Sequence, residues 1–264
     1  MALMKTSNPA LGEKTFQDMA NAGYAARYGG QLGDQTARMT LNGTVNKTGI
    51  LLVLAVATAG WTWLQFMQSH DIASVMPWLL VGGLGGFICA MVTVFKKDWA
   101  PVTAPAYALL EGLVLGSLSA VFDLRYPGIA IQAVGLTFGT LFVLLFLYRT
   151  GVIKVTDKFR LGIFAATGGI ALFYLLEMVL GIFGIHFMGP HGVNGSGAIG
   201  IGFSLIVVAV AALNLVLDFD FIEKGVQYGA PKYMEWYGAF GIMVTLVWLY
   251  LEILNLLAKL NRRN

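Results

Sequence analysis

In WLYLEILNLL, residues 248–257, every side chain except Glu252 and Asn255 is Leu, Ile, Trp or Tyr. The run has the composition of a helix in lipid, yet it holds a carboxylate at its centre. Whether it is a buried helix of a soluble domain or a membrane crossing depends on the rest of the chain.

The composition decides for the membrane. Of 264 residues, 57% are hydrophobic and 12% are charged, whereas a soluble domain carries about a quarter charged residues to cover its surface. A helix crosses the hydrocarbon core with about 20 apolar residues. Runs of that kind predict spans near 49–67, 76–95, 104–122, 129–148, 160–183, 197–217 and 237–258. The expected fold is therefore all-α, a polytopic membrane protein with seven transmembrane helices in one bundle. Residues 1–47 form a polar segment expected to be cytoplasmic and partly disordered, and 48–264 form the transmembrane domain. The 33 glycines lie mostly within apolar runs, as suits helices that approach closely through small residues. The pairs Gly112–Gly116 and Gly135–Gly139 have the spacing for such contact.

Basic residues orient the spans. With the N-terminus inside, the inner segments hold Lys5, Lys14, Arg27, Arg38, Lys47, Lys96, Lys97, Arg149, Lys154, Lys158, Arg160, Lys224 and Lys232, which is 13 of the 17 Lys and Arg. Arg125 lies outside, and Lys259, Arg262 and Arg263 fall on the exported C-terminus. The positive-inside rule favours a cytoplasmic N-terminus, against which the three C-terminal basic residues weigh. On that orientation the acceptor patterns NGT at 42–44 and NKT at 46–48 are not glycosylated. The polar N-terminal segment also lacks the form of a signal peptide.

Several chemistries are set aside. The single cysteine, Cys89, allows no internal disulfide. His186 and His191 in HFMGPH have no Cys or carboxylate nearby to complete a zinc site. NGSG at 194–197 lacks the first glycine of an intramembrane serine protease turn, no GxxxxGK[ST] loop is present, and the seventh span has no mid-helix Lys for a retinal Schiff base. No basic face suits a nucleic acid. The chain is expected to be no enzyme and to carry no cofactor.

What remains is a set of carboxylates. Glu111, Glu177 and Glu252 lie within spans, Asp218 and Asp220 lie at the end of the sixth, and no Lys or Arg lies well inside any span. A central acidic residue costs about 2.5–3.5 kcal/mol on insertion scales. A proton, a cation or water offsets that cost, so such groups suit a proton-gated or ion-conducting site. Each has a polar neighbour one turn away: Asn214 before Asp218, Asn255 after Glu252, Tyr107 before Glu111 and Tyr174 before Glu177. The plainer alternatives are wet helix ends for Asp218 and Asp220, a structural hydrogen bond for Glu177, and proximity to the cytoplasmic boundary for Glu111.

LVLDFDFIEK at 215–224 and LYLEILNLL at 249–257 resemble the end of the Bax-inhibitor family, and SNPAL at 7–11 with MTLNGTVNKTG at 39–49 resembles its bacterial subgroup with an extended N-terminus. The resemblance implies a seven-helix membrane protein associated with calcium leak, in which two acids on the last two helices share a proton as a pH-sensitive latch. On this chain they map to Asp218, with Asp220 as the other register, and to Glu252, where the family usually has Asp. The stretch between them, around QYGAPKYMEWYGAFG at 227–241, is longer than in the family pattern, which puts direct pairing in question and makes Glu177 a rival partner of Glu252.

The expected function is thus a pH-sensitive, calcium-permeable leak channel gated by protonation of Asp218, Glu252 and their neighbours. The expected conducted ion is calcium or another cation, with calcium bound transiently at Asp218 and Glu252 and no resident metal. Two alternatives stay open. One is a non-conducting modulator of a partner such as a membrane protease, docking through residues 1–47, and the other is a proton-coupled small-solute transporter. The resemblance places the chain in the bacterial inner membrane.

Overall fold

The computed structural model describes residues 38–183 and 195–263. SNPAL, His186, His191, Asn194 and most of the polar N-terminal segment lie outside these residues. Among those described, seven helices are long and apolar enough to cross a membrane, so the all-α polytopic reading holds. They are α1 (Leu41–Ser69), α2 (Met76–Phe95), α3 (Ala100–Arg125), α4 (Ile129–Arg149), α5 (Asp157–Ile182), α6 (Ala198–Gln227) and α7 (Met234–Arg263).

The helix ends differ from the hydropathy spans where polar residues keep the helix going. Helix α1 starts at Leu41, ahead of the expected 49, because Thr40 caps it by accepting from Gly43 N at 3.0 Å. It stops at His70, the only non-glycine residue with positive φ among the described residues (φ 52°), whose N–H donates to Phe66 O at 2.8 Å. Helix α6 continues ten residues past 217, through DFDFIEKGVQ, supported by Lys224 donating to Asp220 Oδ2 at 2.8 Å. Gly229 then ends it with φ 66°. Ala230 N donates to Gly225 O and Gly229 N to Val226 O, the paired bonds of a glycine-terminated helix.

The residues cluster into two compact units, Met1–Val121 with Asp218–Val244, and Phe122–Leu217 with Thr245–Asn264. In the first, α3 lies directly on α1: a Cβ added at Gly112 would meet Ala55 O and Thr58 Oγ1, and one at Gly116 would meet Ala59 O and Thr62 Oγ1. Helix α2 packs on α3 through Gly82, where an added Cβ would come within 2.5 Å of Leu110 O. Phe66, Val75 and Ala120 form a small apolar cluster with Trp63 and Val121 against it.

In the second unit, the core joins Ile170 of α5 to Val207 and Val210 of α6, with Tyr174, Phe203 and Trp248 packed on it. Helix α4 follows Gly128 (φ 84°), whose N–H donates to Asp123 Oδ1 at 2.9 Å.

Candidate functional site

Glu252 lies eighteen residues into α7, about 27 Å along the helix at 1.5 Å per residue. It is 7% exposed. Its Oε1 accepts from Tyr174 OH at 3.0 Å and from Trp248 Nε1 at 3.3 Å, one donor from α5 and one a turn earlier on α7. Its Oε2 is buried and has no hydrogen-bond partner among the described residues. A buried carboxylate normally satisfies both oxygens, so this one is half-satisfied. The expected helper, Asn255, does not bond to it. Tyr174, expected to serve Glu177 on its own helix, donates across to Glu252 instead, because the long Tyr side chain reaches the neighbouring helix.

Lys259 changes the charge reading of this region. It was expected on the exported C-terminus, but α7 runs on to Arg263 and Lys259 is 4% exposed within it. Its Nζ donates to Ser204 Oγ at 2.8 Å and to Gly200 O at 3.4 Å, both on α6. Lys259 feels the charges of both Glu252 and Glu177. The deep acids of this unit therefore have a basic neighbour, and the expectation of purely acidic interior charge is corrected. Arg160, expected at the inner edge of the fifth span, is likewise buried at 5% in the first turn of α5, with Asp157 at 3.7 Å. Hydropathy leaves Lys259 just outside its span because it scores composition and ignores which face of a helix is covered.

Glu177 is half-buried on α5, one turn from Tyr174. Asn214, four residues before Asp218, donates to Thr167 Oγ1 and to Val210 O, both at 2.8 Å, and so ties α6 to α5.

The other predicted acids lie in the first unit. Asp218 is fully buried, nine residues before the end of α6. It is not the wet helix end that the hydropathy boundary at 217 implied, because the helix does not end there. Asp220 is half-buried and paired with Lys224. Glu111 lies eleven residues into α3, which starts at Ala100, four residues ahead of the expected span. Its Oε2 faces Gly86 of α2, where an added Cβ would sit 3.1 Å away. Tyr107, a turn earlier, is buried with its ring edge-on to Phe240 at 5.1 Å.

One buried acid escaped the sequence reading. Glu235, in the first turn of α7, is 0% exposed. It accepts from Thr40 N at 2.9 Å and Thr40 Oγ1 at 2.8 Å, and pairs with Lys232 at 2.9 Å and with Lys47. Lys47 also lies over the Trp236 ring at 5.5 Å. Thr40, Gly43 and Lys47 all come from MTLNGTVNKTG, and a Cβ at Gly43 would collide with the Glu235 carboxylate. Thr40 and Lys47 of the motif thus serve one buried carboxylate, contributed by the long stretch 227–241. A carboxylate three residues after Lys232 at a helix start was the available signal, but nothing in one sequence links it to position 40.

No group of three or more His, Cys, Asp or Glu side chains placed to hold a metal ion occurs among the described residues. The family model described as Bax inhibitor 1 like matches residues 8–262, nearly the whole chain. Comparisons with curated proteins and with solved structures find no match.

Proposed function

The chain belongs to the Bax inhibitor 1 like family, and from that premise we propose that it is a pH-sensitive, calcium-permeable leak channel gated by protonation of buried carboxylates on its last two helices. The observation that carries this reading is the half-satisfied carboxyl of Glu252, with Oε2 buried and lacking a hydrogen-bond partner. A proton or a cation on Oε2 would supply the missing interaction, and exchange between them is the chemistry of a proton-gated cation site. Asp218, fully buried on α6, is the second gating carboxyl. Glu177, Glu111 and Asp220 are secondary contributors to the ion pathway.

In this reading the protein is no enzyme, holds no resident cofactor or metal, and has calcium as cargo. It sits in a bacterial inner membrane with its N-terminus cytoplasmic.

The test is calcium influx into proteoliposomes of the purified chain between about pH 5 and about pH 8. Influx is expected to increase as the pH rises, because an ionised carboxyl offers oxygen ligands to calcium. In Glu252→Gln the response is expected to flatten. Influx no greater than through protein-free liposomes at any pH would overturn the channel reading and leave a non-conducting modulator of a membrane partner.

A further inference from the structure

We propose that Lys259 is the resident counter-cation of the Glu252 site, and that its ammonium sets how tightly the site holds a multivalent metal cation. This rests on the reading of Glu252 as a cation site, and it adds what regulates occupancy.

The geometry has three parts. First, Lys259 follows Glu252 by seven residues on one helix. Two helical turns return to the same face, about 10 Å along the axis. Second, the ammonium is held in place. At 4% exposure it donates to Ser204 Oγ at 2.8 Å and to Gly200 O at 3.4 Å, so it is tied to the first turns of α6 and does not extend to bulk water. Third, Glu252 is 7% exposed and its Oε2 has no hydrogen-bond partner among the described residues. One oxygen of the site is therefore available to a cation, while the charge that would compete with that cation is held two turns away.

Charged groups near Lys259 include Glu252 on its own helix, Glu177 on α5, and Arg262 beyond it on α7. Tyr174 and Trp248 face Glu252 as neutral donors. With Glu252 ionised, the ammonium offsets its charge, and removing the ammonium leaves that charge uncompensated. At roughly 10 Å in a medium of effective dielectric about 20, a unit positive charge weakens binding about tenfold for each unit of the bound cation's charge. Lys259 thereby keeps the acid site weakly occupied, as a conducting site requires.

The experiment uses the full chain in detergent with terbium(III) as probe, read by its luminescence sensitised through Trp248, which is bonded to Glu252. The variants are Lys259→Met, Lys259→Gln, Lys259→Arg, Glu252→Gln, and the double variants of Glu252→Gln with Met or Gln at 259. Lys259→Met removes the charge at similar volume. Lys259→Gln keeps a donor for Ser204, so at least one uncharged variant retains the fold. Either is expected to bind terbium about tenfold or more tightly than wild type, Lys259→Arg to stay within about twofold of wild type, and the gain to vanish in the double variants.

An affinity unchanged in both uncharged variants would overturn the proposal. So would a gain that survives in the double variants, since the cation would then lie elsewhere. A purely structural Lys259 would lower thermal stability without moving terbium affinity. Because binding is read without flux, absence of a calcium leak alongside the expected affinity gain would defeat the channel reading and leave the counter-cation standing.

Discussion

Glu235→Ala is expected to lower the protein's stability by about 3–5 kcal/mol, the cost of removing one partner from a buried ion pair. The side chain is fully buried, and its carboxylate takes Thr40 N, Thr40 Oγ1, Lys232 and Lys47. Deleting it leaves the Lys47 side chain, 16% exposed, without its anion, and leaves the Thr40 N–H without an acceptor. Lys232 is 48% exposed and loses little, because water replaces its partner.

The measurement is the fraction of monodisperse protein in detergent after heating across a temperature series. Asp220→Asn is the comparison: its i,i+4 pair with Lys224 is more accessible on both sides, at 15% and 23% exposure, and its substitution is expected to cost less than Glu235→Ala. Combining Glu235→Leu with Lys47→Met is expected to recover much of the loss, since an apolar pair replaces a buried ionic one at little cost. A Glu235→Ala melting curve that overlays wild type would show that the carboxylate does not hold the start of α1.

The second large effect is expected at α3. Gly112→Ala and Gly116→Ala each place a Cβ against a backbone carbonyl of α1, Ala55 O and Ala59 O. A carbonyl within a regular helix cannot move aside as a flexible side chain can, so the helices must separate. The expected cost is about 2–3 kcal/mol for each substitution, at the upper end of overpacking in a tight core. Gly135→Ala and Gly139→Ala have identical spacing on α4 but meet nothing within 4 Å. They are expected to be neutral or slightly stabilising, because alanine is the better helix former by about 1 kcal/mol. The same heating assay compares all four, and equal behaviour of the two pairs would refute the close α1–α3 contact.

These two pairs mark how far a single sequence reaches. Both carry the same spacing and similar apolar flanks, so nothing local separates a glycine that admits a neighbouring backbone from one that faces open space. The same limit applies to Glu235. It falls just outside the expected span 237–258, and its partner Thr40 is 195 residues away, a pairing for which one chain carries no signal. Glu252 was more legible, since a carboxylate in an unbroken apolar run stands out whatever surrounds it. Its donors were not: Asn255 had the right spacing, yet Tyr174 of α5 holds the carboxylate.

By itself the sequence determined the number, order and approximate limits of the membrane helices and the presence of acids within them. Both follow from the cost of placing polar groups in hydrocarbon, which each segment bears independently of its neighbours. The tertiary structure alone decided where helices extend beyond their apolar runs, which glycines are contacts, that Lys259 is buried beside Ser204, and that Glu235 anchors the start of α1. Those outcomes depend on which faces of different helices meet. That is a property of pairs of segments far apart in the chain, and no local pattern of residues encodes it.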